Sequence, residues 1–499
     1  MIRAGVFGNK IIIETDDPSV KGLLEYMYIE KKYNFFFKQM RDTKVKGKIY
    51  DRTKKDPKTG NQYYEIGIGF VGYIVNIFKD YLIIDDYKEL TGAVLQDSYR
   101  MYPFPELRDY QNDDVLHLLK YKFGLFSCYT SYGKTQTISV LAKYFYQDLG
   151  KKVLLITPGI KARDELIKRI RSLYGIDVSK KFGHGRIQSI ITTGFMNKKD
   201  LKDPSKELEI RKELGSFDVV LSDEVEYCIN PAGIYMLENC VNAQYRYGFS
   251  GTADKSNAEM ITFIDGITRN VAENRDLVKY FGPSLIYRLP LDMNIDLISI
   301  KTDSLNRLKF ADQELNNSGN IYNTVMTKIW SQPEVCKTIV KVAKAYPMLF
   351  IPINNLQNVI NNWIENYFIG ELRVLLISGE GYIYYDLDGN RIKLSLQEAC
   401  ECIKNGEVDI IPSTSSGYRA LDFPGLENIF LIQGAIAGVV LQCIGRGARG
   451  KHMNIISLDP LHKTKIPIYS NGRNDRRKMI QEYYKYCKLT ESEIQEKYL

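Results

Sequence analysis

The chain has 499 residues and a mass of 57.5 kDa, too long for one hydrophobic core and enough for about three domains. Hydrophobic residues at 44% and charged residues at 26% place it with ordinary soluble globular proteins. Its net charge of +8 excludes a chain that binds polyanions along its whole length.

The distribution of charge is more informative than its total. Lys31 to Lys58 holds 11 basic and 3 acidic residues, so this stretch carries the whole excess and the rest is neutral on balance. Such a patch is an electrostatic footprint for phosphates; a solvated loop is the alternative reading. The eight cysteines are scattered, with Cys400 and Cys402 as the one close pair, and the four histidines do not cluster. That pattern excludes a structural zinc site. The first residues, MIRAGVFGNKIIIETDD, lack the apolar core of a signal peptide. The longest uncharged run, Asn428 to Gly445, contains Gln433 and Gln442 and reads as a strand followed by a helix. A cytoplasmic protein with free thiols and no membrane segment is expected.

Residues 1–103 are rich in Tyr, Phe, Ile and Lys. Asp56-Pro57-Lys58-Thr59-Gly60-Asn61 predicts a turn between strands Lys46–Ile49 and Tyr63–Phe70, in a small α+β module whose basic stretch surrounds a hairpin. Pro103 and Pro105 mark a linker. Short apolar runs then alternate with helical patterns: Gly124–Cys128, Val153–Thr157, Ile187–Thr192 and Phe217–Ser222 in residues 104–288. After a pause near Phe281-Gly282-Pro283 come Met348–Ile353, Val374–Ser378, Val408–Pro412 and Ile429–Ile432 in residues 289–499. This predicts an α/β chain with two parallel-sheet domains after the α+β module. Arg476 to Leu499 reads as a closing helix.

Ser131-Tyr132-Gly133-Lys134-Thr135 follows the first apolar strand and opens a helical stretch from Gln136 to Tyr146. In that context backbone N–H groups cradle a β-phosphate, Lys134 faces the β- and γ-phosphates, and Thr135 holds Mg²⁺. Lying 89 residues after Lys134, Asp223-Glu224 ends another apolar strand. Carboxylates there stand at the same sheet edge: Asp223 for Mg²⁺, Glu224 to orient and deprotonate water. An exposed acidic turn is the bland alternative for any single such pair. Upstream, Gln111 in Leu107-Arg108-Asp109-Tyr110-Gln111 has a carboxamide suited to both edges of adenine. In the second domain Gln442, Arg446 and Arg449 share a helix face, and two arginines there suit a γ-phosphate held elsewhere. A plain surface helix is the alternative, although its two glycines cost about 1 kcal/mol each.

With these elements in order, the chain resembles a superfamily 2 helicase or translocase over about residues 106 to 455. The resemblance implies two RecA-like domains with ATP and Mg²⁺. Leu107–Gln111 resembles the Q motif, which includes Arg108, and Ser131–Thr135 resembles motif I. Ile156-Thr157-Pro158 is similar to motif Ia, Thr192-Thr193-Gly194 to Ib, Asp223–Glu226 to II and Ser250–Ala253 to III. Leu349–Pro352 looks like motif IV, Ile377-Ser378-Gly379 like a strand end before its next helix, Thr414 to Pro424 like motif V and Gln442 to Arg449 like motif VI. By resemblance Thr157, Pro158, Thr192, Gly194, Gly379 and Thr414 line a nucleic-acid backbone path. Cys128 replaces the first glycine of motif I, Glu226 stands where relatives have His or Asp, and Ala420 replaces a frequent glycine in motif V.

The basic hairpin before the Q motif, and Val278–Gly282 entering the second domain, look like the phage branch-migration helicases. That resemblance implies forked or four-way DNA as the partner, gripped through Lys44, Lys46, Lys48, Arg52, Lys54, Lys55 and Lys58, with replication and recombination proteins nearby. An RNA helicase and a non-catalytic nucleic-acid-binding scaffold are the alternatives.

Overall fold

The computed structural model describes residues 2–34, 39–82, 84–96, 99–129, 132–192, 203–251, 264–265, 267–268, 275–290, 293–303, 305, 327–353, 357–414, 426–431, 452–462, 477–478 and 480–499. For 26–34, 39–46, 84, 161, 264–265, 267–268 and 357 it describes the backbone alone. Two compact units result: Met1–Cys128 with Tyr132–Arg288, and Tyr129–Ser131 with Leu289–Leu499.

The first unit begins with β1 (Ile2–Phe7) and β2 (Lys10–Thr15), antiparallel across the Gly8-Asn9 turn, then the short helix α1 (Val20–Leu23). Next come β3 (Glu25–Asn34) and β4 (Gln39–Lys48), which pair with each other as a separate ribbon, then β5 (Tyr50–Lys55) and β6 (Gln62–Gly67). The sheet order is β1-β2-β6-β5. Alternation sets its faces: Ile11, Ile13 and Thr15 point inward from β2, Tyr64 and Ile66 from β6. Ile11, Ile13, Tyr64 and Ile66 share one core with Val71, Ile74 and Phe78 of α2 (Val71–Phe78) and Leu90 of α3 (Ile84–Val94). The Asp56–Asn61 turn lies where it was expected, but the strands flanking it are β5 and β6. Ile68–Phe70 winds into a 3₁₀ turn instead of extending the strand. Lys46–Ile49 spans the end of β4 and the break before β5 rather than forming one strand.

α4 (Asp109–Leu118) leads into β7 (Phe123–Cys128), α5 (Lys134–Lys143), β8 (Val153–Thr157), α6 (Ile160–Tyr174), β9 (Ile187–Ile191), α7 (Pro204–Leu214), β10 (Val219–Asp223), α8 (Pro231–Asn239) and β11 (Tyr245–Ser250). After two short paired strands, β12 (Ile264–Asp265) and β13 (Ile267–Thr268), come α9 (Arg275–Phe281) and β14 (Ser284–Arg288). The six-stranded sheet is parallel throughout, in the order β14-β7-β11-β10-β8-β9. Buried on both faces, β7 and β8 are continuous apolar runs, as a parallel sheet requires.

Val278–Gly282 therefore does not enter the second domain. It lies in and just after α9, which docks the N-terminal module onto this sheet, and β14 then pairs with β7. A Cβ on Gly69 would meet the Val278 carbonyl oxygen at 1.8 Å, so only glycine allows this approach. Arg275 Nε donates to the Lys48 carbonyl at 2.7 Å, and Lys279 Nζ lies 3.0 Å from Asp51 Oδ2.

In the second unit the order is β19-β18-β17-β20-β16-β21-β22-β15-β23. From β17 (Val374–Ser378) across β20 (Ile410–Ser413), β16 (Leu349–Pro352), β21 (Asn428–Leu431), β22 (His452–Pro460) and β15 (Asn294–Thr302) the strands are parallel. Helices Pro333–Ala345 and Leu396–Lys404 each turn an apolar face inward. An antiparallel hairpin, β18 (Gly381–Tyr385) and β19 (Arg391–Leu394), extends one side. β23 (Lys488–Gln495) joins β15 in parallel at the other. Arg476 to Leu499 is thus not one helix. The open edge of β15 draws 488–495 into extended pairing, and the charges of that segment suit an edge strand. Among the described residues no helix is long and apolar enough to cross a membrane.

Candidate nucleotide site

The site lies where β7 and β10 end, at the carboxyl edge of the parallel sheet. β11 pairs with both strands, so their last residues come level. Gly133 takes φ 102°, a conformation open to glycine, and α5 starts at Lys134. Lys134 Nζ bonds Glu224 Oε1 at 2.8 Å, bringing together two motifs ninety residues apart. Glu224 itself adopts φ 44°, ψ 58°. A non-glycine residue in the left-handed region costs about 1–2 kcal/mol and marks a place where the fold constrains a side chain.

The electrostatics follow from crowding three carboxylates against one ammonium. Burial first, then Glu224, lifts the Asp223 carboxyl to about 7, while Lys134 and the Glu224 N–H, 3.0 Å from Asp223 Oδ1, oppose the rise. Burial and then Glu224 push Glu226 up to about 8, against a hydrogen bond from Ser250. Burial alone pulls the Lys134 ammonium down, but Glu224, Cys128 and Asp223 together hold it above the usual lysine range. Burial also raises the Cys128 thiol, which is 2% exposed. A divalent cation would relieve the same repulsion that raises Asp223, so the donor set fits one. Thr135 sits in the first turn of α5. Among the described residues no group of three or more His, Cys, Asp and Glu gathers to hold a metal by itself.

Gln111 is not displayed to a base. It is 3% exposed; its Oε1 accepts the Arg108 N–H at 3.0 Å, and its Nε2 donates to the Tyr132 carbonyl at 2.8 Å. Both ends of the carboxamide are occupied inside the protein: Oε1 caps its own helix and Nε2 holds the turn that opens α5. Arg108 is exposed and donates to the Tyr110 hydroxyl at 2.8 Å.

Thr157 ends β8 and Thr192 follows β9. Both Oγ1 atoms are buried with no hydrogen-bond partner among the described residues, and the Thr192 N–H donates to the Thr157 carbonyl at 3.3 Å. Pro158 follows Thr157 at the same edge. In the second unit Thr414 follows β20 and is tied by its N–H to the Ile377 carbonyl at 2.9 Å. Gly379 does not precede a helix. With Glu380 it forms the two-residue turn that reverses β17 into β18. Lys44, Lys46 and Lys48 occupy alternate positions of β4. Arg52, Lys54, Lys55 and Lys58 are exposed on β5 and its turn. Ser131, Gly194, Gln442, Arg446 and Arg449 lie outside the described residues, as do Thr252, Ala253 and Ala420.

Sequence reasoning missed Asn112 and Asp114 on α4. Asn112 Oδ1 accepts the Phe104 N–H at 2.5 Å and its Nδ2 donates to the Phe104 carbonyl at 3.1 Å, fixing the chain before the helix. The available signal was Gln111-Asn112-Asp113-Asp114: three of these four polar residues are buried on a short helix.

These features define a class: the chain resembles the superfamily 2 helicases and translocases, with a RecA-like parallel sheet whose carboxyl edge brings Lys134 to the strand-end carboxylates. Residues 104–255 match the family described as type III restriction enzyme, res subunit. No curated protein is significantly similar in sequence. Among solved structures the chain is similar to UvsW of bacteriophage T4 at 15% identity and a TM-score of 0.37, over 99% of both chains. It is also similar to Dbp5 of S. cerevisiae bound to RNA and ADP BeF3, at 13% identity and a TM-score of 0.45, over 78% of this chain and 90% of that one. A third similarity is to the Mycobacterium smegmatis helicase Lhr bound to ssDNA and AMP-PNP, at 14% identity and a TM-score of 0.44, covering 76% of this chain and 48% of that one.

Proposed function

We propose that this chain is an ATP-driven DNA helicase or translocase that remodels branched DNA, such as forks and four-way junctions, in recombination, repair and replication of a phage type. The observation that carries the nucleotide part is the 2.8 Å bond between Lys134 and Glu224. Without a triphosphate the lysine neutralises the carboxylate. When phosphate arrives, Lys134 turns to the β- and γ-oxygens, and Glu224 is released to accept a proton from the attacking water. Thr135 and Asp223 would hold the Mg²⁺ that accompanies the nucleotide, where it neutralises charge on the transferring phosphoryl group. Ser131, Tyr132 and Gly133 shape the loop, Arg108 and Gln111 support it, and Gln442, Arg446 and Arg449 supply further polar and positive groups to the phosphates.

The choice of DNA rests on the first hundred residues. β3, β4, β5 and the Asp56–Asn61 turn hold most of the basic residues between Lys31 and Lys58, which suits sequence-independent contact with phosphates. Thr157, Pro158, Thr192, Gly194, Gly379 and Thr414 are proposed to line the strand's backbone. The division of labour is residues 1–103 for DNA grip, 104–288 for nucleotide chemistry and 289–499 for the second motor domain.

Steady-state ATP hydrolysis tests this, measured without nucleic acid and with single-stranded DNA, linear duplex, four-way DNA and structured RNA. Stimulation greatest with four-way DNA, and lost in Lys134→Ala, is the expected result. Stimulation by RNA alone would move the protein to RNA substrates, and absence of turnover would leave a binding scaffold.

A further inference from the structure

The phosphate loop is held from behind by a chain of polar groups that the nucleotide chemistry does not use. Tyr132 is 1% exposed and packs edge-on against Phe126 and Tyr110, with ring centres 5.3 and 5.4 Å away. Its hydroxyl donates to Asp114 Oδ2 at 2.7 Å. Asp114 is 4% exposed and lies one turn after Gln111 on α4, so one helix grips Tyr132 twice, by its carbonyl and by its hydroxyl.

Arg288 holds the Asp114 carboxylate with a two-pronged fork. Its Nε lies 2.9 Å from Oδ2, and its Nη2 lies 2.6 Å from Oδ1. The fork is the strong, directional form of this pair, and removing one partner leaves the other charge uncompensated. Arg288 is the last residue of β14 and of the first unit, and its side chain is 46% exposed. The three groups form a relay from the chain's exit point to the turn that opens α5. Packing alone asks only for an aromatic ring at position 132, so the buried hydroxyl bond is a separate constraint.

We infer that Asp114 and Arg288 are positioning residues for the phosphate loop: the guanidinium orients the carboxylate, the carboxylate anchors the Tyr132 hydroxyl, and Tyr132 sets the backbone that enters α5. This rests on the reading of the loop as an ATP site, and it adds two residues that touch no nucleotide.

The test is equilibrium binding of a fluorescent ADP analogue together with ATPase kinetics on the full chain. Arg288→Ala is expected to weaken ADP binding about tenfold, and Tyr132→Phe about threefold. The KM for ATP should rise more than kcat falls in each. Because both changes cut one relay, the double variant should bind no more weakly than Arg288→Ala. Arg288→Lys should recover only part of the loss, since an ammonium cannot make the fork. ADP affinity within twofold of wild type in both single variants, or losses that multiply in the double variant, would overturn the relay. Should Arg288→Ala fail to fold, Tyr132→Phe keeps the ring packing, and an unchanged affinity there overturns it. A wild-type chain that does not bind the analogue, or Lys134→Ala binding it equally well, would instead overturn the nucleotide reading beneath.

Discussion

The carboxyl edge of the six-stranded sheet and the basic hairpins of the N-terminal module both concentrate charge, but by opposite means. At the sheet edge Lys134, Asp223, Glu224 and Glu226 are partly buried and perturb one another's protonation. On β5 and its turn the basic side chains of Arg52, Lys54, Lys55 and Lys58 stand in solvent. The difference is one of dielectric. Charges in a poorly solvated group interact strongly and lose function one at a time, whereas exposed charges act additively and are screened by salt.

The largest effect should come from breaking the buried group. Lys134→Ala is expected to lower ATP hydrolysis about a thousandfold, as loss of one preorganised charge at a phosphoryl site does. Phosphate release measured at saturating ATP checks it, and a rate within tenfold of wild type would contradict the role of the loop. Arg246 supplies a control, a buried charge outside the site. Its guanidinium bonds the carbonyls of Leu237, Cys240 and Ala243, the first two at 3.1 and 2.5 Å. Arg246→Ala should cost about 3 kcal/mol in denaturant unfolding by orphaning those carbonyls. Unchanged stability would show that burial of charge is not what distinguishes this half of the comparison.

A pH series sharpens the same point. With its carboxyl raised from 4.5 to about 8 in the fold, Glu226 keeps a proton that the unfolded chain gives up. Its contribution is fully present below pH 4.5 and is lost as pH rises towards 8. Glu226→Gln should therefore show a smaller fall in melting temperature between pH 5 and 8 than wild type. Parallel curves for the two proteins would contradict the assigned direction. The smallest effect is expected on the hairpin. Lys54→Glu should weaken four-way DNA binding only about threefold at moderate salt and reduce the slope of log K against log salt by about one to two. A loss of a hundredfold would mean that this lysine works in a buried contact rather than in an additive patch.

What was legible in the sequence follows the same division. Val153–Thr157 and Val374–Ser378 were readable to the residue because strands buried on both faces are unbroken apolar runs. The positions of Gly133-Lys134 and Asp223-Glu224 at strand ends were readable because each follows such a run. The α+β character of the first hundred residues was visible, but not the ribbon β3–β4, whose highly charged strands lack clean alternation. β23 was read as helix because an edge strand takes its conformation from its neighbour's open hydrogen bonds. The relay through Asp114 was hidden for a different reason: Arg288 lies 174 residues from it, and no local pattern announces such a partner.

β15 is flanked by β22 and β23, the last two strands among the described residues. It ends at Thr302, before β22 begins at His452 and well before β23 begins at Lys488. As the chain leaves the ribosome, Asn294–Thr302 therefore waits with both sides unsatisfied while the strands destined for the middle of the same sheet are already being made. The second unit cannot close from its beginning outward; it is sealed by its final segments. Until then a nine-residue strand with four leucine and isoleucine residues is open to pairing with foreign strands, which makes late synthesis the stage at which this protein is most vulnerable to aggregation.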